Sequence, residues 1–145
     1  MSLVWREQLS VGNDAIDSDH KHLIEIVNQV ERGLAKHNKS ELDQALDQLS
    51  LYAKTHFGHE EEIARAVHYG QTHLLHEAHE KLLTKLEKFK LEAGSEWEKE
   101  AADRFCTLLH DWLIDHVIKE DLLMKPALGR YPRDFDVKKS NNTAQ

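Results

Sequence analysis

Residues 40–66 read SELDQALDQLSLYAKTHFGHEEEIARA, and the pattern of this stretch is helical. Its inward-facing positions recur every three or four residues, which predicts one amphipathic helix that begins at a capping box, Ser40-x-x-Asp43. These positions are Leu42, Leu46, Leu49, Ala53, His56, Glu60 and Ile63. A helix face that we expect to be buried therefore carries an imidazole and a carboxylate one turn apart.

The same spacing appears three more times, once before this stretch and twice after it. The first helix is predicted to begin at the capping side chains of Asp17-Ser18-Asp19 and to end near His37. The fourth is predicted to begin at a second capping box, Ser95-x-x-Glu98. Four amphipathic helices of this kind, joined by short links, predict an all-α fold: an up-down-up-down four-helix bundle with an irregular N-terminal arm.

Length and composition suit one domain of 145 residues with a net charge of −7. We expect the bundle to span residues 1–130 and residues 131–145 to form a polar, flexible tail. The negative charge disfavours a nucleic-acid partner, and no apolar run reaches the roughly 20 residues of a membrane span. The lone Cys106 cannot form an internal disulfide, and the N-terminus has no signal-peptide core, so a cytoplasmic location is expected.

Each of the four predicted helices places a histidine on its apolar stripe. The four are His20, His56, His79 and His116. One such histidine is more often a packed core residue, but four helices that each contribute one, two of them with carboxylates, predict a shared metal site. Imidazole and carboxylate ligands suit iron, zinc, manganese or copper. The ligands outnumber those of one closed tetrahedral zinc site, so two metal ions fit better.

Two further positions matter for this site. Spacing alone selects Glu120 as the carboxylate of the fourth helix, because it lies four residues after His116 and shares its face. His59 lies on the flank of the His56 face, where packing is the simpler interpretation and support of a ligand is the alternative.

Taken together, these motifs resemble a hemerythrin, specifically a single-domain bacterial hemerythrin (bacteriohemerythrin), over roughly residues 4–130. The segments that carry the resemblance are 16–23, 56–61, 79–83 and 112–121. The resemblance implies a non-heme di-iron site that binds O₂ reversibly and an O₂ carrier, store or delivery factor rather than an enzyme. The implied iron ligands are His20, His56, Glu60, His79, His116 and Asp121. Glu60 and Asp121 would bridge the irons, so the resemblance selects Asp121 where spacing selects Glu120.

The chain departs from the family pattern on the third helix. The family shows His-x-x-x-His there, which puts Leu75 at the position of the first histidine when the pattern is anchored on His79. His76 lies three residues before His79 and is the candidate replacement, since ligands at this spacing occur in other di-iron bundles. Without it, one iron would be under-coordinated.

An apolar pocket for O₂ is expected beside the irons, lined by Leu113, Ile24 and Trp112, with plain core packing as the alternative interpretation. Two other functions stay open: a di-iron peroxide or nitric oxide reductase, favoured if Leu75 leaves an extra open position, and an O₂ or redox sensor. A ferritin-like oxidase would need more glutamate ligands than the inner faces offer. The expected partners are O₂ and an unidentified protein acceptor, and the expected state is a monomer or weak oligomer.

Overall fold

A computed structural model describes residues 2–92 and 99–137 and contains four long helices. These are α1 (Asp14–Ala35), α2 (Lys39–Ala66), α3 (Thr72–Glu92) and α4 (Lys99–Asp115). A π-helical turn (His116–Glu120), a 3-10 turn (Asp121–Met124) and the short helix α5 (Lys125–Leu128) follow. The described residues contain no strand, so the predicted all-α bundle is confirmed.

Neighbouring long helices run antiparallel and approach closely. Residues 36–38 reverse the chain between α1 and α2, with His37 in the left-handed region at φ 52°. Beside this link the two helices nearly touch, because a Cβ on Gly33 would lie 3.0 Å from the Cα of Leu42. On the opposite side of the bundle, the Trp112 indole on α4 donates a 2.9 Å hydrogen bond to the Leu82 carbonyl on α3.

Asparagine side chains, rather than the predicted residues, cap the first two long helices. The Asn13 side chain accepts a hydrogen bond from the backbone N–H of Ile16, and the Asn38 side chain accepts one from Glu41, each at 3.0 Å. Both helices therefore begin before the positions predicted from Asp17 and Ser40, and those two starts were wrong. The predicted cap at Ser95-x-x-Glu98 lies outside the described residues.

Within the described residues, the core consists of two apolar clusters along the bundle axis. The larger cluster lies among the four long helices and includes Leu23, Leu49 and Leu113. The smaller cluster lies at the end of the bundle where α1 begins and α2 ends, and it includes Ile63 and Leu75. Within the described residues, no helix has both the length and the apolar character that crossing a bilayer requires.

Residues 131–137, which we call the C-terminal strap, fold back onto the bundle. The backbone N–H of Asp14 donates to the Arg133 carbonyl at 2.8 Å, and the Asn13 amide donates to the Phe135 carbonyl at 2.9 Å. The side chains of Tyr131 and Phe135 pack against the smaller core cluster. The tail predicted for residues 131–145 therefore begins with a segment that contacts the bundle, and residues 138–145 lie outside the described residues.

Candidate metal centre

Five buried polar side chains converge where the two apolar clusters meet. Each offers one nitrogen or oxygen atom, and these atoms all lie within 4.8 Å of one another. The residues are His20, His56, Glu60, His116 and Asp121, and each is at most 2% exposed. They come from α1, α2 and the turns after α4, so the fold brings distant parts of the chain to one point.

The two carboxylates lie between the imidazoles. Nε2 of His20 lies 2.7 Å from Oδ2 of Asp121, and Nε2 of His116 lies 3.2 Å from the same oxygen. Nε2 of His56 lies 3.1 Å from Oε2 of Glu60. Each of these histidines therefore presents the same ring nitrogen to the centre.

His79 reaches the centre from α3. Its Nε2 lies 2.9 Å from Oε1 of Glu60, and its ring stacks on Phe57 with centroids 4.1 Å apart. The residue is 1% exposed. All six side chains that the family resemblance selected, including Glu60 and Asp121, are thus buried together.

A π-helical turn explains why Asp121 faces inward. In an α-helix, residues five apart point about 140° away from each other. Here the backbone N–H of Asp121 donates to the carbonyl of His116, the wider pattern that defines a π turn, and this brings both side chains to the same face. Glu120, which spacing alone selected, is half-buried and lines a surface pocket beside Tyr69 and Leu75 instead.

The structure does not bring His76 into the centre. Its side chain is 55% exposed, and its Nδ1 lies 2.8 Å from Oε1 of Glu61. Three positions before His79, it points about 60° away around α3. Leu75 is 2% exposed and packs in the smaller core cluster, so this position of α3 offers an apolar side chain and not a ligand.

Two carboxylates that sequence reasoning missed hold the outer nitrogens of the histidines. Oδ2 of Asp19 lies 2.9 Å from Nδ1 of His56, and Oε2 of Glu61 lies 2.7 Å from Nδ1 of His79. Such partners fix the ring orientation and the tautomer of a metal-binding histidine. The sequence gives only a weak signal for these two partners. Each is the immediate neighbour of a candidate ligand, His20 or Glu60, but it points toward the adjacent helix, which spacing within one helix does not predict.

Burial alone disfavours charge at this centre, but the carboxylates outweigh it. Burial lowers the pKa of His56, yet Glu60 and Asp19 raise it to about 10. The pKa of His20 is also raised, because Asp121 and Glu60 overcome the effect of burial. Burial raises the pKa of Glu60, but the histidines around it hold that pKa well below its usual range. The centre therefore favours positive charge, as protons or as a metal ion that displaces them.

The polar atoms that face the centre also fit a metal. Several buried polar atoms of these side chains make no well-directed hydrogen bond within the described part of the chain, even where they lie close to one another, a costly arrangement for buried groups. They are Nδ1 and Nε2 of His20, Nε2 of His56, Oε2 of Glu60, Nδ1 and Nε2 of His116, and both carboxylate oxygens of Asp121. Metal coordination would satisfy the inward-facing ones, and a mixed nitrogen and oxygen set suits a first-row transition metal.

The residues predicted to line an O₂ pocket are all in the larger core cluster. Leu113 is fully buried, and Ile24 and Trp112 are each 5% exposed. Leu113 precedes His116 by less than one turn on α4, and the Trp112 ring lies 6.4 Å from that of Phe57, which contacts His79. All three are therefore core residues, and the O₂ pocket that they are expected to line stays a prediction.

Comparison with known proteins agrees with this geometry. Residues 11–128 match the family model described as the hemerythrin HHE cation binding domain. A bacteriohemerythrin of Stenotrophomonas maltophilia is 26% identical over 91% of this chain and 88% of its own length. One from Methylococcus capsulatus is 32% identical over 78% of this chain and 86% of its own.

Solved structures give the same result. The crystal structure of a hemerythrin with a leucine-to-tyrosine substitution superposes with a TM-score of 0.74 at 26% identity. The match covers 88% of this chain and 98% of the other. Together with the buried cluster of histidines and carboxylates, these matches show that the chain belongs to the hemerythrin family, whose domain implies iron binding.

Proposed function

We propose that this protein binds O₂ reversibly at a non-heme di-iron site, as an O₂ carrier, store or delivery factor. The ligands in this proposal are His20, His56, Glu60, His79, His116 and Asp121. A bound pair of iron ions would supply the electrons that O₂ binding takes up and O₂ release returns. The protein would supply the ligands, the charge balance and a site closed to water.

One observation carries the proposal of two metals: the oxygens of Glu60 face different pairs of histidines. Oε2 lies 3.1 Å from Nε2 of His56 and 3.5 Å from that of His20. Oε1 lies 2.9 Å from Nε2 of His79 and 3.8 Å from that of His116. A carboxylate in this position suits a bridge between two metals, each held by one pair.

Asp121 supports the same interpretation from the other side. Its Oδ2 lies near His20 of one pair and His116 of the other, at 2.7 and 3.2 Å. Both carboxylates therefore span the two histidine pairs. A single tetrahedral zinc would use only four of these six side chains.

The apolar wall formed by Leu113, Ile24 and Trp112 would keep water from the bound O₂. Excluding water limits proton delivery, and proton delivery favours loss of O₂ as a reduced product. We therefore assign these side chains to retention of O₂ rather than to its capture. No turnover reaction is needed for this function.

Leu75 supports a second candidate, a di-iron reductase of peroxide or nitric oxide. Because Leu75 cannot bind a metal, the half of the site with His79 and His116 would have only two histidines. Leu75 also borders a surface pocket of about 390 Å³ that Tyr69, Gln71 and Glu120 help to line. In this candidate, a small oxidant would enter from this pocket and react at the open metal position.

Cycling of O₂ separates the two functions. The iron-loaded, reduced protein is exposed to O₂ and then returned to an inert atmosphere while its visible absorption is followed. We expect the absorption to appear and disappear over repeated cycles. Irreversible oxidation in the first cycle, together with turnover of peroxide or nitric oxide when an electron donor is present, would support the reductase instead.

A further inference from the structure

A chain of polar side chains connects the C-terminal strap to the metal centre. Oδ1 of Asp136 lies 2.5 Å from Nε2 of His59, and Nδ1 of His59 lies 3.7 Å from Oδ2 of Asp19. That same oxygen of Asp19 lies 2.9 Å from Nδ1 of His56. The chain thus runs from the strap, across α2 and α1, to the outer nitrogen of a candidate ligand.

Asp19 is held at both of its carboxylate oxygens. The Tyr52 hydroxyl donates a 2.9 Å hydrogen bond to Oδ1, and His56 and His59 face Oδ2. His59 thus faces the same carboxylate oxygen that contacts the outer nitrogen of His56.

The strap in turn fixes His59. Two carbonyls just before Asp136 accept hydrogen bonds from the start of α1. The Phe135 carbonyl accepts one from the Asn13 amide, and the Arg133 carbonyl accepts one from the backbone N–H of Asp14. These contacts hold the strap to the start of α1, the helix that carries Asp19. His59 is 8% exposed, so its ring has little freedom once Asp136 is in place.

We infer that Asp136 is a positioning residue for the metal centre, which acts on His56 through His59 and Asp19. The inference rests on the proposed function, because it assumes that His56 binds a metal. The strap then does more than cover the smaller core cluster: its docking sets how firmly the His56 imidazole is aimed at the centre. Outer partners of this kind typically change metal affinity about 10–100-fold.

The test measures Fe²⁺ affinity without O₂, by anaerobic competition with a chelator of known affinity. The variants are Asp136→Ala, Asp19→Ala and the double variant, with Asp134→Ala as the control. Asp134 is an exposed residue of the same strap and carries the same charge. Urea unfolding of each metal-free variant separates general loosening of the fold from an effect on the metal centre.

We expect Asp136→Ala to weaken Fe²⁺ binding about tenfold and Asp134→Ala to leave it unchanged. If Asp136 acts through Asp19, its removal has no further effect in the Asp19→Ala background, because the connection is already broken. A tenfold loss that persists in that background would overturn the inference and indicate a merely structural role. Unchanged affinity in Asp136→Ala would overturn it as well.

These outcomes are distinct from failure of the proposed function. A wild-type protein that binds Fe²⁺ but shows no reversible O₂ response would contradict the proposed function. The comparison of Fe²⁺ affinities among the Asp136 and Asp19 variants would still test the inference. A wild-type protein that binds no Fe²⁺ would overturn both.

Discussion

The backbone N–H of Asp121 donates a hydrogen bond to the carbonyl of His116, five residues earlier in the chain. This single π turn places both side chains in the metal centre, where His116 Nε2 lies 3.2 Å from Asp121 Oδ2. It also leaves Glu120 at the surface pocket. π turns of this kind occur frequently at functional sites, because they change which side chains share a face.

The turn predicts opposite results for two neighbouring carboxylates. Asp121→Ala removes a proposed ligand, and we expect it to lower Fe²⁺ affinity by more than about 100-fold, beyond the loss of an outer partner. Glu120→Ala should bind iron as the wild-type protein does. Chelator competition measures both. If Glu120→Ala loses iron and Asp121→Ala keeps it, the assignment of the fourth-helix carboxylate is reversed.

The third helix offers a similar pair of histidines. His79→Ala should lower the iron content from two ions to about one per chain, because His116 would be the one histidine left, with the shared carboxylates Glu60 and Asp121, to hold the second ion. His76→Ala should retain both ions, since the His76 side chain is 55% exposed and faces Glu61. Iron analysis of the purified variants decides between them. Loss of iron in His76→Ala would restore His76 as a ligand.

Leu113 provides a test of the apolar wall. Leu113→Ala should speed autoxidation of the oxygenated protein, because water and protons would reach the centre more easily. The matched control is Leu46→Ala, which opens a cavity in the same core cluster about 15 Å along α2 from His56. Decay of the visible absorption gives the rate.

Both leucine variants should lose about 2–5 kcal/mol of unfolding free energy. Only Leu113→Ala should oxidise faster. Equal autoxidation rates in the two variants would mean that Leu113 contributes packing and no protection of O₂.

Alanine substitutions at two helical glycines should change the stability of the protein in opposite directions. A Cβ on Gly33 would meet backbone atoms of Leu42 at 3.0 Å, so Gly33→Ala should lower the free energy of unfolding by about 1–3 kcal/mol. A Cβ on Gly58 has nothing within 4 Å, and alanine there should raise that free energy by about 0.5–1 kcal/mol. Urea unfolding of the metal-free protein measures both. A stabilised Gly33→Ala would show that α1 and α2 are less closely packed than described.

The sequence pattern was sufficient to predict the helical bundle and most of the side chains that face its interior. A helix buries one face, so the spacing of Leu42, Leu46 and Leu49 also determines where His56 and Glu60 point. Helix starts were less predictable. Asp17 and Asp19 are of a residue type that often caps helices, but both lie inside α1. The Asp17 carboxylate accepts a 3.0 Å hydrogen bond from the backbone N–H of Val11 instead.

The remaining parts of the centre depend on geometry that no periodicity contains. The π turn after α4 changes the register by one residue, so spacing pointed to Glu120. Asp19 and Glu61 became partners of His56 and His79 only through the packing of adjacent helices. The sequence pattern favours a packing role for His59. Its contact with Asp136 joins residues 77 positions apart, so no local spacing could predict it.

Leu75 shows a limit of the family resemblance. The resemblance identifies Leu75 as the position of a missing histidine, but His76 is its candidate replacement only because it is nearby in the sequence. The structure places His76 at the surface because a shift of one position turns a side chain by about 100° around an α-helix. The packing of α3 in the bundle, which buries Leu75 in the smaller core cluster, distinguishes these two positions.

Anomalous scattering at the iron absorption edge, from crystals of the iron-loaded protein, would show how many metal ions the centre holds. We predict two iron peaks per chain, one beside His20 and His56 and the other beside His79 and His116, with Glu60 and Asp121 between them. A single metal peak in the centre, or a signal at the zinc edge in its place, would contradict this prediction.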